Sequence, residues 1–430
     1  MKNLLIAIAF LCSAYLHAQK TDTTKYNYSN FRCYDISYRA LNLTLNGGMN
    51  YSGVNSYLVD FQGNGDFSLG YNKYVNKPLF QKNTTIFVNS AFDYNKYETQ
   101  IIPQIVTTTK NSQYFYTLYS NTNRYYNTKG RYFEVSPELV ISNQSDNTKN
   151  DLSNTSNQHF NFNVKVDLGY GIGRIDPITQ VFAAKFIYDD LRKEGVLKDK
   201  VSESQLFELA SEMTKMQNLR FLDSRRRNVK QIITLNKLLN SQLNLSEEEK
   251  YITSSVLMDN WFFAGLNARN SGKRHSFKMS PFYNYSYLNG NKSDQIGMNL
   301  SYNFDHEKPI NQYFQFFQNY SVGLSPSSKP LLNIKPNFNL DILFNAKVGF
   351  GYYPSSRTSI ETYVTISDFV KNNLDILNKS DYLNFGLYTK VNYFINYNTK
   401  LFATLNYYGV YKNNNFNNFN FNFGILHSFF

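Results

Sequence analysis

The chain has 430 residues, a formal net charge of +12 and a mean hydropathy of −0.46, yet it carries 36 Tyr and 36 Phe against one Trp. A polar average with so many aromatic residues excludes a helical membrane protein, because the longest apolar run is the one at the N-terminus. Segments that alternate over ten or more residues also disfavour a secreted sandwich of short strands; a transmembrane barrel combines these traits, with half of each strand facing lipid and half facing water.

Met1–Ala18 reads as a secretory signal peptide: Lys2 supplies the positive start and Leu4–Tyr15 the apolar core, too short to span as a helix. Cleavage after Ala18 leaves Gln19 first and Cys33 as the single cysteine, so no intrachain disulfide forms in the exported chain. Tyr34–Asn46 alternates with one slip of phase, which a bulge near Arg39–Ala40 would absorb. Tyr57 to Tyr71 keeps one parity through Gly63 and Gly65 and therefore reads as one long strand, not a hairpin. Ile86–Tyr97, Gln113–Tyr126, Arg131–Ile141 and Phe160–Arg174 follow. Asn127–Gly130 is a tight turn and Asn143–Asn157 a long polar loop. Asn76–Asn83 is long for a turn on the short-turn side.

Phe160–Arg174 is the clearest strand. Phe160, Phe162, Val164, Val166, Leu168, Tyr170 and Ile172 share one face, and Gly169, Gly171 and Gly173 leave the opposite face bare near its end. That bare stretch predicts space for a solute or for part of the following segment.

Asp176–Asn260 changes period. It holds 13 basic and 13 acidic residues, so the positive excess lies in the strand-rich remainder and the signal segment. Asp176 suits a helix N-cap, Pro177 the first helical position and Gly195 the stop. Ser202-x-x-Gln205 and Ser246-x-x-Glu249 are capping boxes. Ile178, Val181, Ile187, Tyr188 and Leu191 form one apolar face. Leu206, Leu209, Ala210, Met213 and Met216 form a second, and Val229, Ile232, Ile233 and Leu239 a third. Ile252 and Val256 belong to a last helix. Three or four helices in a small bundle are expected, with the methionines in its core. Arg225, Arg226 and Arg227 are the densest charge cluster. They read as a solvated helix start, with docking to an anionic partner as the alternative.

Strands resume at His275–Tyr287, Gln295–Phe304, Gln312–Leu324, Asn337–Tyr353, Arg357–Phe369, Tyr382–Tyr397, Leu401–Tyr411 and Phe416–Phe430. Ser325–Pro336 and Lys371–Asp381 are longer links. Six strands precede the helical block and eight follow. Trp261–Arg269, read as a strand with a partner, would raise fourteen to sixteen. Counting from a periplasmic N-terminus, with short turns periplasmic and long loops outside, puts the helical block in the periplasm.

Chemistry is sparse. His159, His275, His306 and His427 show no metal-ligand spacing, no nucleophile, base and orienter converge, and no glycine loop cradles phosphate. The chain reads as no enzyme, without cofactor or metal, and nucleic acid has no place in that compartment. Parity places Asp60, Asp66, Asp93, Glu134, Glu138, Asp167, Asp341 and Glu361 in the lumen with Lys165, Lys278, Lys347 and Lys390. An open lumen so lined predicts a weak cation preference; neutralised pairs in a filled barrel are the alternative.

The closing strand, Phe416-Asn-Asn-Phe419-Asn-Phe421-Asn-Phe423-Gly-Ile425-Leu-His-Ser-Phe429-Phe430, resembles the assembly signal of Gram-negative outer-membrane β-barrel proteins. His427 interrupts its alternation and Phe430 is out of phase. The Asn/Tyr/Lys-rich style resembles barrels of Bacteroidota. The resemblance implies recognition of Phe423, Ile425, Phe429 and Phe430 by the barrel-assembly machinery, and outer-membrane lipid as surroundings. The expected architecture is thus an all-β transmembrane antiparallel barrel of about 14 strands, alternatively 16, with an α-helical periplasmic insert. Its parts are the signal peptide 1–18, a first barrel part 19–174, the insert 175–272 and a second barrel part 273–430. The expected role is a passive or substrate-selective channel for small solutes; the alternative is a structural or docking component whose bundle binds a periplasmic or envelope partner.

Overall fold

The structure, a computed structural model, describes residues 26–34, 36–53, 59–101, 104–150, 153–218, 224–264, 267–329, 337–373, 379–396, 399–411 and 416–427. The signal segment, Phe429 and Phe430 lie outside them. So do the side chains of Asp60, Arg225, Arg226 and Arg227.

One antiparallel sheet dominates. Its fourteen described strands are hydrogen-bonded in strict chain order. They are β1 (Ile36–Gly53), β2 (Val59–Lys77), β3 (Phe80–Ile101), β4 (Gln104–Tyr126), β5 (Arg131–Asn150), β6 (Asn154–Pro177), β7 (Asn270–Leu288), β8 (Asn291–Pro309), β9 (Phe314–Lys329), β10 (Asn337–Ser355), β11 (Thr358–Asn373), β12 (Lys379–Asn396), β13 (Thr399–Tyr411) and β14 (Phe416–His427). No pairing between β1 and β14 occurs among the described residues. Val59–Lys77 is one strand running through Gly63 and Gly65.

Several strands outrun the sequence reading. Asn143–Asn157 is not a loop: Asn143 to Lys149 pairs with Phe160 to Asn154. The described parts of Ser325–Pro336 and Lys371–Asp381 likewise extend their strands. Apolar alternation marks only the face that needs cover, so a strand of Thr, Ser and Asn that projects into water leaves no such mark. At ~3.3 Å per residue the 24 residues of β6 far exceed the ~10 needed to cross an apolar band. At the opposite end the connections are short. Pro78 and Leu79 make the whole β2–β3 turn, so Asn76–Asn83 is no long link.

The phase slip in β1 has no bulge behind it. β1 pairs with β2 in unbroken register from Ile36↔Asn76 to Gly53↔Val59. Ile36 is buried against the helices, while Leu41, Leu43 and Leu45 are exposed on the outer face. The two phases therefore mark two neighbours of one straight strand.

Four helices lie between β6 and β7: α1 (Thr179–Lys193), α2 (Glu203–Asn218), α3 (Ser224–Leu243) and α4 (Glu247–Trp261). Ile178, Val181, Ile187, Tyr188 and Leu191 from the first face pack with Leu206, Leu209, Ala210 and Met213 from the second, and with Leu235, Leu239, Leu257 and Trp261. Fully burying one such side chain contributes about 1.5–3 kcal/mol. The third face is corrected: Val229 and Ile233 are exposed, and the 232/235/239 spacing carries the contacts. Gly195 ends α1 at φ +78°, a left-handed stop that glycine takes without strain.

Both capping boxes form, Ser202 with Gln205 and Ser246 with Glu249. Backbone and side-chain hydrogen bonds from Ser246 hold the Glu249 carboxyl below the usual carboxylate range. A depressed folded value means that this contribution is present above the ordinary glutamate pKa and is lost as pH falls through the folded one. The start of α4 is expected to fray first on acidification, and Glu249→Gln to shift that onset. Amide exchange at Glu247–Tyr251 between pH 7 and pH 3 measures it; exchange independent of pH in wild type contradicts the linkage.

Candidate functional site at the junction of sheet and bundle

A network of long-range polar contacts forms where β6 gives way to the helices. Asp176 was expected to cap α1 and Pro177 to open it. Instead β6 continues through Pro177, which pairs with Asn270, and Ile178 occupies the cap without a side-chain hydrogen bond. Asp176 has other work. It is only 2% exposed and lies 2.8 Å from Arg174 Nε and 3.5 Å from Arg32 Nε. A buried carboxylate survives only with such partners.

Arg174 ties together four parts of the chain. Its guanidinium also donates to the Asn76 side chain at 2.5 Å, to Pro78 O at 2.6 Å and to Lys77 O at 2.8 Å. It stacks over the rings of Tyr34 and Tyr126 at 4.9 and 4.7 Å. Gln81 closes the network, donating to Asn76 and to Ile175 O and accepting from the Tyr126 hydroxyl. Asn76 donates to Cys33 O, which fixes the N-terminal segment 26–34 to the same knot.

Arg269 anchors the return. It is almost fully buried and donates to Asn311 O at 3.0 Å, Phe314 O at 3.1 Å, Gln312 O and the Gln315 side chain. Its plane lies 3.3 Å from the Phe182 ring centroid and 4.7 Å from that of Tyr353. Burial pushes the guanidinium down to about 9, so it stays charged at neutral pH. The carbonyl oxygens of the β8–β9 turn solvate the charge by accepting its hydrogen bonds in place of a carboxylate. At the far end of the bundle, Arg357 pairs with Asp259 and lies over Phe263, and Ser356 donates to the Asn260 side chain.

These anchors sit on opposite sides of the sheet. The knot holds the β2–β3 turn; Arg269 and Arg357 hold the β8–β9 and β10–β11 turns. Strands β2 and β9 are seven places apart in an order of fourteen. A body touching both stretches across the short-turn end. The 26–34 segment lies in the same layer, with Tyr28 on Phe182, Phe31 on Phe207 and Tyr26 donating to Val201 O.

Above this layer ion pairs line the inner face. Glu134, fully buried, pairs with Arg124 and Lys278, each at 2.6 Å. Lys165 lies 3.6 Å from Glu138 and 3.7 Å from Asp167. Tyr353 donates to Glu361, which faces Lys390 across the β11–β12 ladder. Lys347 sits 4.0 Å from the Tyr363 ring centroid. Arg274 pairs with Asp305. At this end Arg124 and Arg274 join the tallied lysines and Asp305 and Glu307 join the tallied acids, so the two signs balance. Asp66, Asp93, Asp146 and Lys110 line shallow clefts toward the long-loop end, with Asn46 donating to Asp66. Asp341, on β10, is also part-buried.

The bare face of β6 is corrected. A Cβ on Gly171 would meet the Tyr132 ring at 2.4 Å, and one on Gly169 would touch Glu134 and Lys278. Neighbouring side chains fill the space that the glycines leave. Trp261–Arg269 is no strand where described: Trp261 closes the bundle core and Arg269 the anchor. Among the described residues no cluster of His, Cys, Asp and Glu could hold a metal. Asn76, Gln81 and Arg269 escaped sequence reading because polar residues at strand ends carry no periodicity. One signal was present: Arg174 and Arg269 flank the change of period on either side.

On the outer face, Tyr170 and Phe277, paired across the β6–β7 ladder, are 55% and 67% exposed, and Leu168, Met279 and Leu300 continue the apolar surface. Phe423 and Ile425 of the closing strand are likewise exposed.

No protein-family model and no curated protein matches the sequence. Solved structures that match are outer-membrane β-barrel proteins. They include the β domain of the Bordetella autotransporter BrkA at 8% identity and TM-score 0.25, covering 92% of this chain and 100% of that one. The transport unit of the autotransporter AIDA-I from Escherichia coli matches at 9% identity and TM-score 0.26, covering 97% and 98%. A bacterial polysaccharide outer membrane secretin matches at 8% identity and TM-score 0.27, covering 92% and 100%. Likenesses this distant carry no argument about role, which rests on the chain's own pattern.

Proposed function

We propose that this chain is an outer-membrane β-barrel of a Gram-negative bacterium, with β14 closed against β1 and its short turns and bundle in the periplasm. It acts as a channel for small solutes that the bundle holds shut at the periplasmic mouth. The supporting observation is the layer formed by the bundle and segment 26–34, anchored at β2–β3, β8–β9 and β10–β11. Closure follows from solvent physics. Unpaired edge groups of β1 and β14 would each cost several kcal/mol in lipid, and both strands turn apolar side chains outward. The lumen's acids are paired near the mouth, so any cation preference would come from Asp66, Asp93 and Asp146 beyond it. The test is planar-bilayer conductance: the full chain is expected to be nearly silent and to open when the bundle is released. A freely conducting full chain would contradict the gated reading.

The seam is tested separately. In a Cys33→Ser background, Leu43→Cys is combined in turn with Phe419→Cys, Phe421→Cys and Phe423→Cys. A closed antiparallel seam brings one of these pairs within disulfide range, Cα atoms roughly 4.4–6.8 Å apart, and that pair is expected to oxidise nearly to completion. Oxidation of none contradicts closure.

A second reading has its own observation. Val229 and Ile233 on α3, with Tyr251 and Met258 on α4, leave apolar side chains exposed on the bundle. This supports docking of a periplasmic partner, with Arg225, Arg226 and Arg227 at the start of α3 as candidate contacts. Loss of co-purifying protein from a bundle-deleted chain that does not conduct would favour it over the channel.

A further inference from the structure

We infer that the outer face of β5–β8 binds an anionic phospholipid of the leaflet on the short-turn side; the inference rests on the barrel reading and its orientation.

Two ladder rows cross this face. One is Tyr170↔Phe277↔Tyr302, the other Leu168↔Met279↔Leu300. They stand two residues apart along each strand, ~6.6 Å at ~3.3 Å per residue. Over them lies a shallow, almost wholly apolar cleft of about 690 Å³ that reaches from Phe133 to Leu324. A barrel's lipid face ordinarily presents a convex belt, so a shallow apolar depression in the belt gives a hydrocarbon tail a floor to lie on.

The head-group end lies nearer the turns. Arg131 is two residues from Phe133 on the same face of β5 and is paired with the exposed Ile172. Lys273 is the cross-strand partner of His306, whose ring packs on Phe304 and Phe316, and Lys308 follows two residues on. Arg131, Lys273 and Lys308 are all exposed. None of the ion pairs found among the described residues involves them, in contrast to Arg124, Arg274 and Lys278 on the inner face. The nearby carboxylates Glu134, Asp305 and Glu307 turn inward to Arg124, Arg274 and Gln315.

Three cations outside the ion pairs therefore stand on the outer face two, four and six residues beyond an aromatic row, with a shallow apolar cleft on the band side of that row. Aromatic rows mark the interface of a membrane barrel, so the cations fall at head-group depth. A lipid phosphate meets one or two of these charges while a tail lies in the cleft. A zwitterionic lipid offers the same tail without net charge, which makes charge the discriminating variable.

The test reconstitutes the full chain into vesicles of equimolar phosphatidylcholine and phosphatidylglycerol. The protein is then released in mild detergent, and retained lipids are identified by native mass spectrometry. Phosphatidylglycerol is expected to be enriched over phosphatidylcholine, and to lose roughly fivefold in enrichment per charge removed across Arg131→Gln, Lys273→Gln and Lys308→Gln. Leu300→Trp, which fills the cleft and leaves the charges, is expected to reduce retention of both lipids. Equal retention of the two lipids by wild type, or unchanged enrichment in the triple variant, overturns the lipid site and leaves the barrel reading standing. Heat-modifiable migration reports insertion independently; a chain that inserts into neither pure phosphatidylcholine nor mixed vesicles overturns the barrel reading and the site with it.

Discussion

Excising residues 178–269 and joining Pro177 to Asn270 through an Asn-Gly turn is expected to turn a silent protein into a conducting one. The join is geometrically mild. Pro177 and Asn270 are direct ladder partners, so a two-residue type I′ turn suits the gap. The sheet loses none of its pairing, since every strand keeps its neighbours in the order β1 to β14. What leaves is the layer across the mouth, including Phe182 and the Arg269 anchor. Conductance in planar bilayers is expected to rise on the order of tenfold or more as an aqueous path replaces a packed one. The increase has a ceiling, because Glu134, Arg124 and Lys278 still narrow the passage above. A further Glu134→Ser, Lys278→Ser double change is expected to widen it. An excised chain that inserts and stays silent sinks the channel reading; equal conductance with and without the bundle sinks its role as a closure.

The second large effect concerns Arg269. Arg269→Ala is expected to destabilise docking of the bundle by about 2–4 kcal/mol. It removes the guanidinium that donates to the buried carbonyls of Asn311, Gln312 and Phe314, of which Phe314 O keeps the Ile310 N–H, and it removes the plane stacked on Phe182. Arg269→Lys is expected to recover only a fraction, because one ammonium cannot serve the same fork of acceptors or stack on the ring. The readouts are amide exchange in α1–α4, faster in the variant, and intermittent bilayer conductance absent from wild type. Exchange as slow as wild type in Arg269→Ala would show that other contacts hold the bundle.

The strands that cross the apolar band were legible in the sequence because burial on one side imposes a period of two, and Phe160–Ile172 states it without interruption. The bundle was legible through its capping boxes and through the 178/181/187/188/191 face. Two kinds of feature were hidden. Strand projections such as Asn143–Lys149 meet water on both faces, so composition there follows solubility and resembles a loop. The junction's polar residues act through partners far away in sequence, Arg174 through Pro78 and Arg269 through Asn311, and no local pattern encodes such a distance. Asp176 shows the ambiguity at its sharpest: Asp-Pro before a helical period is good cap grammar, but tertiary ion pairs with Arg174 and Arg32 outweigh it. The slip in β1 has the same origin, because Ile36 answers to the bundle and Leu41 to the outer face.

Segment 26–34 carries a consequence for the order of assembly. Every strand pairs with its neighbour in the chain, so the sheet can zip from one hairpin to the next with little loop-closure entropy at each step. Tyr28 and Phe31 behave otherwise. They are among the first described residues, yet they pack on Phe182 and Phe207, and the ring of Phe182 is sandwiched with Arg269, whose remaining partners arrive only with β9 and β10. Segment 26–34 is therefore among the last to find its place. On the closed-barrel reading proposed above, the mouth would be sealed only after most of the sheet exists, so an incomplete barrel would stay open to periplasmic proteases while a finished one is shut.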